Sequence, residues 1–363
     1  IKEKDFYLVD KLQVDDFNAI EKLNSIIKKK YKFENASLLM SGGADSSLLL
    51  TLLYKNNPRR VIESYIFKSG KINSDLLRAR KICKLFNSDL IELDSTKSNK
   101  KEVKDFLIKQ TKILNGPIYE PLLFTFNEII KNIKNNNVIF DGQGADTILG
   151  GLGHHQLISI YKNKFVRLCS MLSLFNIFSY LLNKFIIKKR IIYRIHKLIN
   201  SLKEKSMEEC LISSLYSSDT KFKINSFSSL NLEILKLYST KYDHISSVSL
   251  LFLSIISIRE LQKYSLDMNF EYCLPFLEKE FIHYCLSLPP YCKCKGNQRK
   301  IQIIDFLNGH LPVYFSSSQQ LPFVPNSSHV LGSKKLKFED PLVMSKNIRL
   351  ISIKALKVML EKF

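Results

Sequence analysis

The chain has no tryptophan, little glycine, and far fewer acidic than basic side chains. Its 363 residues include 12 Gly, 34 Asp and Glu, and 55 Lys and Arg, with a formal net charge of +21 at pH 7. Because 45% of the residues are hydrophobic, the chain can bury a sizeable core, which excludes a disordered tail, and its length predicts about two domains. Composition typical of an AT-rich genome explains the charge, and docking to nucleic acid or an anionic membrane is the alternative.

The sequence also predicts no disulfide framework, no secretion signal and no membrane-spanning run. Its seven cysteines are odd in number and scattered, which favours a reducing compartment. Residues 2–5 are all charged, so we expect no signal peptide and a cytoplasmic location. Leu168–Asn183 and His244–Ile258 fall short of the ~20 apolar residues that span a bilayer and are interpreted as buried helices. Because Lys188-Lys189-Arg190 follows the first, peripheral docking of a membrane or a leader peptide is the alternative.

Short apolar runs alternate with amphipathic stretches in the first 160 residues, which predicts parallel strands joined by crossover helices. Helical periodicity then continues to Leu288. We therefore predict a lead-in over residues 1–35, a doubly wound α/β domain over residues 36–160, and an all-helical region over residues 161–363 that ends in a basic helix, Ile348–Phe363. The predicted strands are Ser37–Met40, Val61–Phe67, Asp89–Asp94 and Val138–Asp141, and the predicted helices are Ser46–Tyr54, Ser74–Phe86, Lys101–Leu114 and Leu122–Lys134.

A glycine-rich segment, Ser41-Gly42-Gly43-Ala44-Asp45-Ser46-Ser47, joins the first predicted strand to the first predicted helix. The free N–H groups and the dipole of a helix N-terminus favour an anion there. Two glycines let the backbone approach a pyrophosphate, and Asp45 can hold the Mg²⁺ of a nucleotide. Because a Walker ending is missing, the segment predicts attack on the α-phosphate of ATP. The predicted nucleotide ligands are Ser41, Gly42, Gly43, Asp45, Ser46 and Ser47.

A second segment, Asp141-Gly142-Gln143-Gly144-Ala145-Asp146, follows another predicted strand and precedes Gly150-Gly151. The carboxyl ends of parallel strands meet at one ligand crevice. We therefore expect Gly142 and Gly144 to pass close to ribose and phosphate, and Asp146 to supply a second magnesium carboxylate opposite Asp45.

Two later segments, Glu271-Tyr272-Cys273-Leu274-Pro275-Phe276-Leu277-Glu278 and Gly296-Asn297-Gln298-Arg299-Lys300, would each be interpreted as a surface loop if taken alone. In this order, the four segments resemble the synthetase domain of the asparagine synthetase family, whose relatives include β-lactam synthetases and lasso-peptide cyclases. The first resembles the family's pyrophosphate loop, which implies a PP-loop fold of the adenine nucleotide α-hydrolase type. The third is similar to the family's Glu-x-Arg-x-Pro-Phe-Leu segment.

The resemblance implies an ATP-dependent, AMP-forming carbon–nitrogen ligase. A substrate carboxylate would attack ATP to give an acyl-adenylate, and an amine or ammonia would then displace AMP. By the same resemblance, Asp45 and Asp146 bind Mg²⁺, Lys300 neutralises charge on the leaving groups, and Glu271 orients or deprotonates the amine.

Departures from the family pattern leave other functions open. Gln143 stands where the family has Glu or Tyr, and Cys273 where it has Arg, so a non-catalytic partner subunit is one alternative. A PP-loop enzyme that adenylates a tRNA base is another, although nucleic acid is not the expected partner. Only a short stretch precedes the first segment, so we expect no glutaminase domain. Ammonia would then come from a separate glutaminase subunit, or an amine on a peptide or small molecule would serve, as in a cyclase.

Overall fold

The computed structural model describes residues 17–31, 36–59, 61–68, 74–94, 100–114, 118, 120, 123–133, 138–172, 174–183, 190–204, 210, 213–214, 258–296 and 298–311. The predicted helix Ile348–Phe363, the pair Lys188-Lys189 and all of His244–Ile258 except its last residue lie outside these ranges.

Five parallel strands form the central sheet. They are β1 (Ala36–Leu39), β2 (Glu63–Lys68), β3 (Asp89–Asp94), β4 (Val138–Phe140) and β5 (Glu271–Cys273). Their order is β3-β2-β1-β4-β5, and Leu38 of β1 lies opposite Ser64 of β2 on one side and Phe140 of β4 on the other. The chain thus winds outward from β1 through β3 and then adds β4 and β5 on the opposite side, which is a doubly wound arrangement.

Helices cover both faces of the sheet, and none of those in the described residues is both long and apolar enough to cross a membrane. They are α1 (Ala19–Lys30), α2 (Ala44–Asn56), α3 (Ser74–Leu85), α4 (Lys100–Leu114), α5 (Leu123–Asn132), α6 (Ala145–Ile148), α7 (His154–Tyr161), α8 (Lys164–Met171), α9 (Leu174–Asn183), α10 (Arg190–Leu202), α11 (Arg259–Asp267), α12 (Lys279–Ser287) and α13 (Ile301–His310). A hairpin of β6 (Cys294–Lys295) and β7 (Gln298–Arg299) precedes α13.

Alternating side chains of the sheet enter two separate apolar cores, as the two-residue period of a strand requires. Leu38, Phe140 and Cys273 belong to a core that α1, α2, α3, α12 and α13 complete, which we call the α2 core. Ile139 and Tyr272 pack instead with α4, α5 and α11 in a second core, which we call the α5 core. The two cores hold the strands in place, and the carboxyl ends of the strands are therefore fixed relative to each other.

The prediction of a doubly wound parallel sheet is confirmed, and the first four predicted strands agree with β1 to β4 to within about two residues. The region after residue 160, expected to be all-helical, also supplies β5 and the β6–β7 hairpin. β5 was missed because it is only three residues long and starts with the exposed Glu271. In the predicted lead-in, Asn18 caps α1 by accepting a hydrogen bond from the Glu21 N–H.

Candidate active site

The carboxyl ends of β1 and β4 lie side by side at the point where the strand order reverses. Such a switch point opens a crevice, because the chain leaves the two strands in opposite directions. The segment 41–47 follows β1 and the segment 141–146 follows β4, so the fold brings both predicted nucleotide segments to this crevice. We call them loop 41–47 and turn 141–146.

Loop 41–47 is shaped by a close backbone contact at Gly42. Gly42 has a φ of 73°, and a Cβ there would lie 2.0 Å from the carbonyl oxygen of Asp75. Arg78 Nη1 donates to the Gly42 carbonyl at 3.0 Å. α2 then begins at Ala44, and its N-cap residue Gly43 makes no side-chain cap hydrogen bond. The first turn of α2 can therefore offer backbone N–H groups to an anion.

The serine hydroxyls of loop 41–47 form hydrogen bonds with the backbone of the same loop. Ser47 Oγ donates to the Gly43 carbonyl at 2.7 Å, and Ser46 Oγ does so at 3.3 Å. Ser41 Oγ accepts from the Gly43 N–H at 3.1 Å and lies 3.1 Å from Ser46 Oγ. These bonds fix the curl that the loop needs, whereas direct contacts between the hydroxyls and a nucleotide stay a prediction.

Turn 141–146 approaches loop 41–47 at Gly142. A Cβ on Gly142 would lie 3.0 Å from the Cβ of Asp45, and one on Gly144, whose φ is 97°, would lie 2.5 Å from the Leu277 side chain. The absence of side chains at these two positions lets the turn pack between the loop and the segment after β5. Asp146 then falls in the first turn of α6.

Lys300 joins the two segments. Its ammonium nitrogen lies 2.8 and 2.6 Å from the two carboxylate oxygens of Asp45 and 2.6 Å from Asp146 Oδ1. The Lys300 side chain is 3% exposed, against 19% for Asp45 and 47% for Asp146. Lys300 reaches this position from the N-cap of α13, where its φ is 52°. A residue far along the chain therefore completes a buried charge cluster with both predicted magnesium ligands.

Burial and charge oppose each other in this cluster. Burial lowers the pKa of Lys300, but the charges of Asp45 and Asp146 and their hydrogen bonds outweigh it, so the pKa is raised and the ammonium is retained. Burial, together with the charges of Asp146 and Asp141, raises the pKa of Asp45 to about 6 although Lys300 opposes the shift. Because the carboxylates of Asp146 and Asp141 both act on Asp45 while Lys300 supplies one positive charge, a further cation would be stabilised here.

Gly151 makes room for the cluster. A Cβ at this position would lie 1.9 Å from Asp146 Oδ1 and 2.4 Å from Lys300 Cε. The Gly151 N–H also donates to the Asp146 carbonyl at 2.8 Å. Glycine is required at this position because the side chains of Lys300 and Asp146 pack directly against its backbone.

A cavity of about 320 Å³ opens beside the cluster. Asp141 lines it, and this carboxylate accepts hydrogen bonds from the Tyr272 hydroxyl at 2.5 Å and from the Gln143 N–H at 3.2 Å. Burial raises the pKa of Asp141 to about 6 although both bonds oppose the shift. Gln143 Oε1 also lies beside the cavity, buried and without a hydrogen-bond partner among the described residues. The remaining lining residues are Leu39, Met40, Ser41, Asp45, Ser46, Tyr65, Phe67, Thr125, Phe126, Ile129, Gly142, Asp146 and Leu261.

The donor set fits magnesium. Two carboxylates converge within hydrogen-bond distance of one ammonium nitrogen, and hard oxygen ligands are those that Mg²⁺ prefers. Protein sites often give Mg²⁺ only one or two carboxylates and leave the other positions to phosphate and water. Asp45 and Asp146 meet that requirement together with the phosphates of a nucleotide.

Comparison with known families agrees with this geometry. A family model described as asparagine synthase matches residues 25–339, which is most of the chain. The chain belongs to the asparagine synthase family. This family is one of ATP-dependent amidating ligases. No curated protein sequence matched the chain.

In this member of the asparagine synthase family, Glu271 lies apart from the other predicted site residues. It starts β5 opposite Val138, at the amino end of β4, whereas the crevice lies at the carboxyl ends. Glu271 and Cys273 lie on the same side of β5, with Cys273 Sγ 3.6 Å from Glu271 Oε1, and Cys273 belongs to the α2 core. Glu271 is exposed and does not line the cavity. Its role toward the amine stays a prediction.

Two contacts of the site carry no recognisable sequence signal. Tyr272 reaches Asp141 because it lies on the other side of β5 from Glu271 and packs edge-on against Phe126 with ring centroids 5.0 Å apart. Arg78 holds the carbonyl of Gly42 from the first turns of α3. A lone tyrosine and a helix arginine are too common to be assigned from sequence, although Gly151 could be suspected from the Gly150-Gly151 pair.

Proposed function

We propose that the chain forms an acyl-adenylate from a substrate carboxylate and ATP, releasing pyrophosphate, and then transfers the acyl group to an amine or ammonia, releasing AMP. The contact of Lys300 with Asp45 and Asp146 carries this proposal. A buried lysine beside a phosphate-type loop supports a reaction in which negative charge develops at that point. Family membership supports the same class of reaction.

In the first step, a carboxylate oxygen of the substrate bonds to the α-phosphorus as the bond to the pyrophosphate oxygen breaks. The charge on the leaving pyrophosphate would be met by Lys300 and by the N-terminus of α2. Mg²⁺, when bound by Asp45 and Asp146, supplies charge neutralisation of the phosphates. Met40 and the aromatic rings of Tyr65 and Phe67 line the cavity and suit the adenine ring.

In the second step, the amine nitrogen bonds to the acyl carbon, AMP leaves, and the amine loses a proton. Asp141 is the carboxylate in the cavity that is fixed for this purpose, since Tyr272 and the Gln143 N–H hold its two oxygens. The unpartnered Gln143 Oε1 beside it would accept a hydrogen bond from an incoming N–H group. We propose Asp141 as the proton acceptor and Gln143 as a group that orients the amine.

The cavity gives less support to a tRNA-modifying enzyme, which would need a reactive cysteine near the site. The described residues that line the cavity include no cysteine. The thiol of Cys273 lies in the α2 core, where burial and Glu271 raise its pKa, so it would remain protonated. A non-catalytic subunit would have no need to retain the charge cluster of Lys300.

The test is product analysis with the purified chain, ATP and MgCl₂, using a panel of amino acids and other carboxylates as acyl donors and ammonium chloride or hydroxylamine as acceptor. We expect AMP and pyrophosphate in equal amounts, dependent on one class of carboxylate. Lys300→Met is the matched control for contaminating activity. Release of ADP and phosphate in the wild type but not in that control would overturn the proposal.

A further inference from the structure

Several large apolar side chains of α8 and α9 are exposed to solvent. Phe165 is 72% exposed and Met171 is 78% exposed, and α8 has no buried residue at all. Such side chains are unusual in this number on two helices that contact each other, because they lose free energy in water. We call the set the apolar surface. It consists of Phe165, Leu168, Met171, Leu172, Ile177, Phe178 and Leu181, each more than half exposed.

Polar contacts attach α8 to the rest of the protein, and the apolar surface faces away from them. Ser170 Oγ donates to the Leu202 carbonyl at 3.1 Å, and Arg167 Nη1 donates to the Glu204 carbonyl at 3.4 Å while its guanidinium lies 4.5 Å from the Tyr161 ring centre. The helical period puts Phe165, Leu168 and Leu172 on one stripe, with Ser170 on the opposite side. Thus α8 is attached by one side and presents the apolar stripe on the other.

The same part of the chain has basic residues and no acidic ones. Residues 162–203 contain ten Lys and Arg but no Asp or Glu, whereas Asp and Glu number 34 in the 363 residues of the chain. A compositional bias toward lysine explains the ten basic residues but not the absence of Asp and Glu from this part of the sequence. Lys162 and Lys164, next to Phe165, are exposed. Apolar side chains beside positive charge are the combination that binds an anionic lipid surface.

We infer that α8 and α9 dock on an anionic lipid bilayer, with the apolar surface in the interfacial layer and Lys162 and Lys164 among the headgroups. These helices are too short to cross the bilayer, so they would lie on it. A nucleic acid would use the lysines and arginines but gain nothing from exposed Phe and Met side chains. Side chains exposed by more than 70% also project from the surface, whereas a peptide-binding groove would shield them.

The test is flotation of the full chain with vesicles of phosphatidylcholine alone or phosphatidylcholine mixed with phosphatidylglycerol. We expect binding to the mixed vesicles at least about tenfold stronger than to the neutral ones, and weaker binding at high salt. The double variant Phe165→Ser/Met171→Ser should lower binding by at least about tenfold, because the inserted apolar area is lost. Leu266→Ser is the matched control, since Leu266 is 74% exposed on α11, outside the apolar surface.

The result does not depend on the reaction that the enzyme catalyses. Circular dichroism and thermal unfolding should be the same for the wild type and both variants, because the substituted side chains are exposed. Lack of binding to the mixed vesicles, or equal binding by the wild type and the double variant, would overturn the inference. It would also fail if sedimentation showed a wild-type dimer that the double variant dissociates, since a second copy would then cover the apolar surface.

Discussion

At the residue scale, Lys300 is held in a position that would be unfavourable without its partners. An ammonium group that is 3% exposed loses its hydration, and the two carboxylates within 2.8 Å offset that loss of free energy. Its backbone is left-handed, with φ 52°, which costs on the order of 1 kcal/mol for a residue other than glycine. Strain and burial at one position are typical of a residue retained for chemistry rather than for stability.

Lys300→Met should lower turnover by ~100-fold or more while leaving ATP affinity nearly unchanged. The reason is that the ammonium acts on charge that develops as pyrophosphate leaves, and such interactions affect kcat more than binding. Pyrophosphate release at saturating ATP measures the effect, and Lys300→Arg is the charge-conserving comparison. An unchanged rate in Lys300→Met would remove the main reason for assigning an amide ligase.

Asp45→Asn should damage ATP binding and turnover together. Its carboxylate is the predicted magnesium ligand in loop 41–47, and an amide oxygen is a weaker partner for a dication. The measurement is the dependence of pyrophosphate release on both ATP and Mg²⁺ concentration. We expect both half-saturation values to rise by about tenfold or more. Unchanged values would mean that Mg²⁺ is held elsewhere.

Glu271 and Asp141 compete for the role of proton acceptor, and the geometry favours Asp141. We expect Asp141→Asn to slow amide formation by ~100-fold or more, since a positioned base contributes that much, and Glu271→Gln to change it by less than about twofold. Hydroxamate formation measures the second step in both variants. If Glu271→Gln gave the larger loss, the assignment based on family resemblance would stand and ours would fail.

At the scale of elements, the sequence was informative where the chain repeats a pattern. β1 to β4 are apolar runs bounded by turn residues, and their positions follow from that pattern. α1 has a helical pattern of the same kind, since its buried Ile and Leu residues recur at a spacing of three to four. β5 could not be found, because three residues show no period. Resemblance to a family supplied Glu271 but not the side of β5 on which it lies, which depends on the register with β4.

The prediction at the scale of elements concerns Gly151. The lack of a side chain at this position lets α6 and the start of α13 come close together. Gly151→Ala should displace Asp146 or Lys300, lowering stability by ~1–3 kcal/mol and also lowering activity. Gly309→Ala is the matched control, since a Cβ there meets nothing within 4 Å and α13 should gain ~0.5–1 kcal/mol from alanine. Thermal unfolding and pyrophosphate release measure the two effects. Equal unfolding temperatures for the two variants would contradict the packing described here.

At the scale of the whole molecule, the site joins parts of the chain that are distant in sequence. Loop 41–47 belongs to α2, turn 141–146 to α6 and Lys300 to α13, and α2 and α13 share the α2 core. Residues of all three helices belong to this core, which fixes the three parts of the charge cluster relative to each other. A ligand that binds the cluster therefore stabilises the whole folded chain, and not just one loop, by its binding free energy.

Mg²⁺ and ATP should consequently raise the unfolding temperature of the whole chain. At a concentration about 100 times the dissociation constant, a ligand that binds only the folded state stabilises it by ~2.7 kcal/mol. We expect this shift in the wild type and in Lys300→Met, since the lysine is proposed to act on the transition state, and a clear reduction in Asp45→Asn. Scanning fluorimetry with Mg²⁺ alone, ATP alone and both together separates the contributions. A shift of equal size in Asp45→Asn would mean that binding of the nucleotide and Mg²⁺ does not depend on Asp45, which would contradict the proposed site.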